Sequence, residues 1–314
     1  SEILMKKDYA AVLTVSSHIQ AQTDALQLAK RGYFKEHGIT WIAYFVDPFA
    51  TYIRNLKNPD VKHFLDFETE VYQYADAVFT SPEMYEDNLN YPMGRYHDKT
   101  IPIQYASMKP LTAQIPYSAF DHSKINCVYI GSFFDITVRN PEYFFQMISA
   151  CDPAVQFHIV CSLSNPSVDA MKKKYLEGHD NIHWYPGKPL AECHQMMVSA
   201  DVLINIGNET LNQTPSKVFD YIGACKPIVN FYSLDHDTSM HYLADYPCHI
   251  DIRDKKDLSS EDLRKFSEFV NSSKRATISH DHIYQIYKDY SSDSLAEKFI
   301  QAFDRIMSGK GKEG

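Results

Sequence analysis

The sequence of 314 residues predicts an α/β fold made of two parallel-sheet domains, and three observations carry that reading. Short apolar runs alternate with helical patterns along nearly the whole chain, the mark of βαβ units. The pattern restarts near residue 126, after "SMKPLTAQIPYSAFDHS" (107–123), whose Pro and Ser content suits a linker. Two segments, "YQYADAVFTS" and "MVSADVLINI", echo each other, each ending a helix at Ala-Asp and entering a strand. The length also exceeds what one typical core fills and suits two domains.

In the first domain, "YAAVLTVSS" (9–17) reads as a strand and "IQAQTDALQLAKRGYFKEHG" (19–38) as an amphipathic helix closed by Gly38. "TWIAYFVD" (40–47) is the next strand, and "FETEVYQYADAVFTSPEMYEDNL" (67–89) reads as helix, strand, helix. No strand with a glycine-rich turn precedes Tyr9, so this domain is expected to be shortened: either the fold is reduced or N-terminal units are missing. In the second domain "NCVYIGSF" (126–133) is a strand ending at Gly131, "PEYFFQMISACD" a helix and "VQFHIVCS" a strand. "SVDAMKKKYLEG" is a helix, "NIHWYPG" a strand, and "LAECHQMMVSADVLINIGN" a helix running into a strand. "SLAEKFIQAFDRIM" (294–307) has its apolar residues on one face and should pack across a domain, followed by a frayed tail. The expected boundaries are 1–122, 123–292 and a C-terminal helix and tail at 293–314.

The formal charge of −9 argues against a general nucleic-acid binder, because phosphate backbones ask for a basic face. It leaves room for one anionic ligand in a local basic pocket. No stretch approaches the length of a membrane-spanning helix, and residues 1–30 show no secretory signal. The absence of a starting Met suggests processing or trimming. Six cysteines lie far apart with no C-x-x-C pair, which reads as buried free thiols of a reducing cytoplasm.

Ligands of open parallel sheets bind beyond the carboxyl ends of the strands, and three loops of the second domain qualify. In "GSFFDITVRNPEYF", Gly131 and Ser132 let backbone approach a phosphate and Arg139 pairs with it, unless this is a plain loop with a solvated arginine. In "WYPGKP" (184–189), around Gly187, exposed backbone can meet a base edge, or the stretch is a simple Pro-Gly turn. The third is "TPSKVFDYIGACKPIV" (214–229), preceded by "NIGNETLNQ". Thr214 suits an N-cap and Pro215 the first helical position, which places Lys217 in the first turn. A cation is disfavoured there by about 0.3–1 kcal/mol unless an anion shares the space. Asp220 lies one turn down on the same face, positioned for ribose hydroxyls; the alternative is a Lys–Asp surface pair of little consequence.

These residues carry a resemblance. "NQTPSKVFDYIGACKPIV" after "SADVLINIGN" resembles the donor-site segment of the retaining GT-B glycosyltransferases, the large family that includes bacterial polysaccharide and lipid-sugar transferases. "VYIGSF...RNPEYFF" is similar to the phosphate-binding start of their C-terminal domain. "WIAYFVDPF" and "ADAVFTSPEMYEDNL" are similar to the later part of their N-terminal domain. The resemblance implies two Rossmann-like domains of GT-B type, a nucleoside diphosphate sugar as donor, a glycan or lipid-linked acceptor, and no cofactor or metal. It also leaves room for peripheral membrane contact. Arg139 and Lys217 would hold the leaving diphosphate and Asp220 the ribose, while Gly207–Ser216, with Asn212, Thr214 and Ser216, would meet sugar and phosphates.

The pattern also departs from the family. Its two glutamates eight positions apart become Asn212 and Asp220 here, with Glu209 nearby but out of register. The histidine or acid that the N-terminal domain supplies near the sugar has two candidates, His18 and Asp47, each following a strand. "DHD" (235–237) mimics a metal-binding Asp-x-Asp but reads better as a solvated loop, and "HDH" (280–282) lacks a third ligand at motif spacing. "MKKKY" (171–175) reads as an exposed helix face. The expected activity is sugar transfer with retention; a nucleotide-sugar epimerase of the same architecture and a non-catalytic binding protein are the rivals.

Overall fold

A four-stranded parallel sheet and a six-stranded one organise the chain as two units, Ser1–Tyr105 with Ser292–Gly314, and Ala106–Ser291. The structure is a computed structural model that describes residues 9–16, 19–49, 61–112, 115–133, 136–274, 276 and 278–309.

The first unit begins with β1 (Ala11–Val15), α1 (Ile19–Lys30) and α2 (Tyr33–Glu36), followed by β2 (Thr40–Phe45). The sequence predicts one helix from 19 to 38; Gly32 at φ 80 breaks it, a left-handed conformation that glycine adopts without Cβ strain. After α3 (Val61–Tyr74) come β3 (Ala77–Thr80), α4 (Pro82–Asn88) and β4 (Thr100–Pro102). Ser81 caps α4 through its hydroxyl with Pro82 at the first position. The strands pair in sequence order, β1-β2-β3-β4. With right-handed crossovers, that order sends every connecting helix to one face. Trp41, Ala43, Phe45 and Val78 bury there against Leu26, Phe34, Val71 and Met84. The opposite face, with Ile42, Tyr44, Phe79 and Ile103, would stay wet without a cover from elsewhere. The last helix, α12 (Ser292–Gly309), supplies it through Phe299, Ala302, Phe303 and Ile306.

The second unit contains β5 (Ile125–Gly131), α5 (Glu142–Ser149), β6 (Val155–Cys161), α6 (Pro166–Leu176), β7 (Ile182–Tyr185), α7 (Leu190–Ser199) and β8 (Val202–Ile206). It continues through α8 (Lys217–Gly223), β9 (Ile228–Tyr232), α9 (Thr238–Leu243), β10 (His249–Arg253), α10 (Ser260–Ser272) and α11 (His280–Tyr287). The strand order is β10-β9-β8-β5-β6-β7, parallel throughout. Its central strands β5, β6 and β8 are buried on both faces, which is why they read as continuous apolar runs. The stretch 107–123 differs from the linker its composition predicts. Met108, Leu111, Tyr117 and Phe120 bury in the core of this unit, and Leu111 N donates to Gly223 O. All six cysteines are free.

The Ala-Asp echo has a physical cause. Asp76 accepts from Trp41 N at 2.8 Å while its own amide donates to Trp41 O. Asp201 does the same with Asn126, at 2.9 Å each way. Each aspartate thus satisfies the second residue of the strand beside which its own strand begins. Asp201→Ala strands a partly buried amide at the mouth of β5, and the expected loss is about 1–3 kcal/mol, read by urea denaturation.

Candidate functional site

The second sheet winds outward from β5 to β7, then returns beside β5 to lay down β8. The crevice beyond the carboxyl ends of β5 and β8 is therefore its topological switch point, where such sheets bind ligands. The loop after β5 supplies Gly131, Ser132 and Arg139; the loop after β8 supplies Gly207 and Asn208. Arg139 bridges them. Its Nε and Nη2 donate to Asn208 Oδ1 at 3.2 and 2.8 Å, and its Nη1 donates to Ser132 O at 3.4 Å. A neutral amide fixes the guanidinium without cancelling its charge. Burial pushes the Tyr129 phenol up to about 12, with the Arg139 charge working the other way. A side chain at Gly131 would run into that phenol, so the backbone there stays bare.

A groove of about 240 Å³ opens beside this crevice, lined by Gly131, Ser132, Ser162, Gly187, Lys188 and Lys217 among others. Four of the residues singled out by sequence thus meet in one place. Ser132 Oγ and Ser162 Oγ share a hydrogen bond at 2.7 Å. Cys193, also in the lining, has its thiol pushed up by burial. Lys188 is held by Glu192, which raises its ammonium above the usual value. Ser162 falls outside the loops that the sequence singles out, whereas Lys188 and Asn208 lie within 184–189 and 207–216 without a role of their own. Ser162 directly follows β6, so the same strand-end rule that marks the loop after β5 also marks it.

Helix α8 is shorter than predicted. Its N-cap is Ser216 rather than Thr214, and Pro215 precedes the helix, its carbonyl accepting from Val218 N at 3.0 Å. Lys217 opens the helix, and its ammonium pairs with Asp220 at 2.8 Å. Both side chains are about a third exposed or less, 34% and 25%. The pair that the sequence left as an alternative is therefore present. Asn212 and Thr214 are buried in the loop, whereas Ser216 is exposed.

The remaining candidates lie on other segments of the chain. Asp47 lies past β2 in the first unit, half-buried, its carbonyl accepting from Ser16 Oγ. His18 lies outside the described residues. Glu209 faces a different groove, with Asn140, Lys174, Ser233 and Asp254. In "DHD", Asp235 pairs with Arg253, and Asp237 is buried and caps α9 by accepting from Ser239 N and Met240 N. His280 of "HDH" sits against Cys225 Sγ. Among the described residues no group of three His, Cys, Asp or Glu is placed to hold a metal. The lysine run is more than a solvated face, because Lys172 lies 4.4 Å over the Trp184 ring.

One buried cluster fixes a pH response. His158 stacks on His183, its Nε2 faces Asn126 Oδ1 at 3.0 Å and its Nδ1 faces Tyr185 Oη at 3.1 Å. Asn126 Oδ1 only accepts, so Nε2 carries a proton. Burial lowers its pKa from 6.5 to about 3. The unfolded chain takes up a proton below pH 6.5 that the folded chain refuses, so this stability is present above pH 6.5 and lost as pH falls toward 3. Asp237 and Asp254, raised by burial to about 6 and about 7, act oppositely and lose their contribution as pH rises through those values. His158→Gln should flatten the acid limb of a stability–pH curve from urea denaturation between pH 6.5 and 4, and leave the alkaline limb in place.

No protein-family model matches the sequence. No curated protein matches it. Solved structures do. Sucrose-phosphate synthase of Thermosynechococcus elongatus superposes with a TM-score of 0.70 at 12% identity, over 98% of this chain and 76% of that one. Anabaena HepE in complex with UDP and glucose gives 0.68 at 10% identity, over 95% and 78%. A Listeria monocytogenes protein assigned as a UDP-N-acetylglucosamine 2-epimerase gives 0.56 at 12%, over 96% and 76%. Two Rossmann-like units with parallel sheets, matched over nearly the full chain to these proteins, give this chain the GT-B glycosyltransferase fold.

Proposed function

We propose that the second unit binds a nucleoside diphosphate sugar beyond β5 and β8 and that the chain transfers the sugar to an acceptor with retention. The observation that carries this reading is one groove gathering Gly131, Ser132, Gly187 and Lys217, with Arg139 beside it at the switch point. A departing diphosphate leaves the sugar with oxocarbenium character, and the barrier falls when fixed cations meet the charge that develops. Arg139 and Lys217 supply those cations, and the bare backbone at Gly131 and Ser132 adds donors. The turn at Gly187 meets the base edge, and Asp220 takes the ribose once Lys217 turns to phosphate. UDP in the HepE complex supports a nucleotide as ligand.

A thermal-shift panel of UDP, GDP, ADP and their sugars tests the reading. Saturation at a hundredfold excess over Kd stabilises by about 2.7 kcal/mol, and silence across the panel would refute it. EDTA should leave the shift unchanged, because the cations come from side chains; a shift lost with EDTA would require a metal instead. The likeness to the epimerase-type protein favours a second reading. Assaying product with and without acceptor separates the two, since an epimerase alters the sugar nucleotide alone.

A further inference from the structure

We propose that Asn208 is a positioning residue that fixes the Arg139 guanidinium across the β5–β8 crevice for a diphosphate and ties it to the loop leading to Lys217. This rests on the donor-site reading above. Asn208 is 2% exposed, so its amide has no water to satisfy it and must find protein partners. Both ends do. Oδ1 accepts from Nε and Nη2 of Arg139, an edge-on grip that sets the plane of the guanidinium as well as its place. Nδ2 donates to Gln213 O at 2.9 Å, within the stretch that leads to Lys217. The same carbonyl accepts from Thr238 Oγ1 at 3.3 Å, and Glu209 N donates to Val138 O at 2.7 Å. The loops after β5 and β8 are thereby stitched together at the residue before Glu209.

Chemistry selects asparagine at this place. A carboxylate would hold the arginine equally well and cancel the charge that a phosphate needs. An alanine would leave the charge and release its direction. Ser132 O, a second acceptor on the guanidinium, constrains only Nη1. An arginine held on one edge by a neutral group is preorganised, so less rotamer entropy is lost when the anion arrives.

The test is calorimetric titration of wild type, Asn208→Ala, Asn208→Asp, Arg139→Ala and the Asn208→Ala/Arg139→Ala double variant with UDP, GDP and ADP, and with the nucleoside of whichever diphosphate binds tightest. Asn208→Ala should lower diphosphate affinity about fivefold and leave nucleoside affinity unchanged. Asn208→Asp should lower it at least as far, because a carboxylate beside the guanidinium cancels the charge that the diphosphate needs. In the Arg139→Ala background the Asn208 substitution should have no further effect on affinity. A merely structural role predicts equal losses for nucleoside and diphosphate, or a loss that persists without Arg139; either overturns the proposal. Should Arg139→Ala weaken the diphosphate and both Asn208 variants bind it as wild type does, the positioning role falls and the donor site stands. Should no diphosphate bind the wild-type chain, both fall.

Discussion

Lys217→Ala is expected to cut diphosphate affinity at least tenfold and to leave the ligand-free chain as stable as before. The two halves of that result have separate causes. In the ligand-free chain Lys217 pairs with Asp220 in a partly exposed contact, and such pairs contribute about 0–1 kcal/mol. Its loss is offset by removing a cation from a helix's first turn and by the better helix propensity of alanine. With a diphosphate bound, the substitution removes a charge-assisted contact of about 1.5–3 kcal/mol, which is tenfold or more. A nucleoside without phosphates should bind the variant as it binds wild type. Asp220→Ala should weaken nucleoside and nucleotide alike. Calorimetric titration and urea denaturation of the two variants decide the matter. If Lys217→Ala destabilises the ligand-free chain and spares diphosphate binding, the lysine serves only Asp220.

Gly223→Ala should produce the largest stability loss of any single methyl in the second unit. A Cβ at Gly223 would overlap the carbonyl oxygen of Lys109, a backbone atom that cannot swing aside. Overpacking of this kind costs about 1–3 kcal/mol and more where backbone must move. It would also disturb the Leu111 N to Gly223 O hydrogen bond, which holds stretch 107–112 on α8. Gly309→Ala meets nothing within 4 Å and serves as the control, expected to be neutral or slightly stabilising. Equal denaturation midpoints for the two variants would mean that the stretch after Ala106 is not packed on α8.

Periodicity made most strands and most helices legible, because runs such as β2, β5 and β6 are buried on both faces of their sheets, whereas the short β4 and the half-buried β10 went unread. The Ala-Asp echo was legible as a pattern, although its cause, a carboxylate receiving an amide near the start of the neighbouring strand, needed the register. Pairing order was not legible, since no local signal says that β8 returns beside β5. The role of α12 was hidden for the same reason: the first sheet's open face is filled from a segment nearly two hundred residues away in sequence. Composition misled at 107–123, where Pro and Ser suggested a connector while Met108, Leu111, Tyr117 and Phe120 went to the core. At the site, glycines and cations past strand ends were visible. Asn208 was not, because a buried amide looks like any polar loop residue until its two partners are known.

A structure of the chain with a nucleoside diphosphate bound measures the central claim most directly. The account predicts phosphate oxygens within hydrogen-bond reach of Arg139, Ser132 and Lys217, with the Lys217 ammonium moved off Asp220 and the base beside Gly187. A diphosphate held chiefly by residues 9–105, with Lys217 still paired to Asp220, would contradict it.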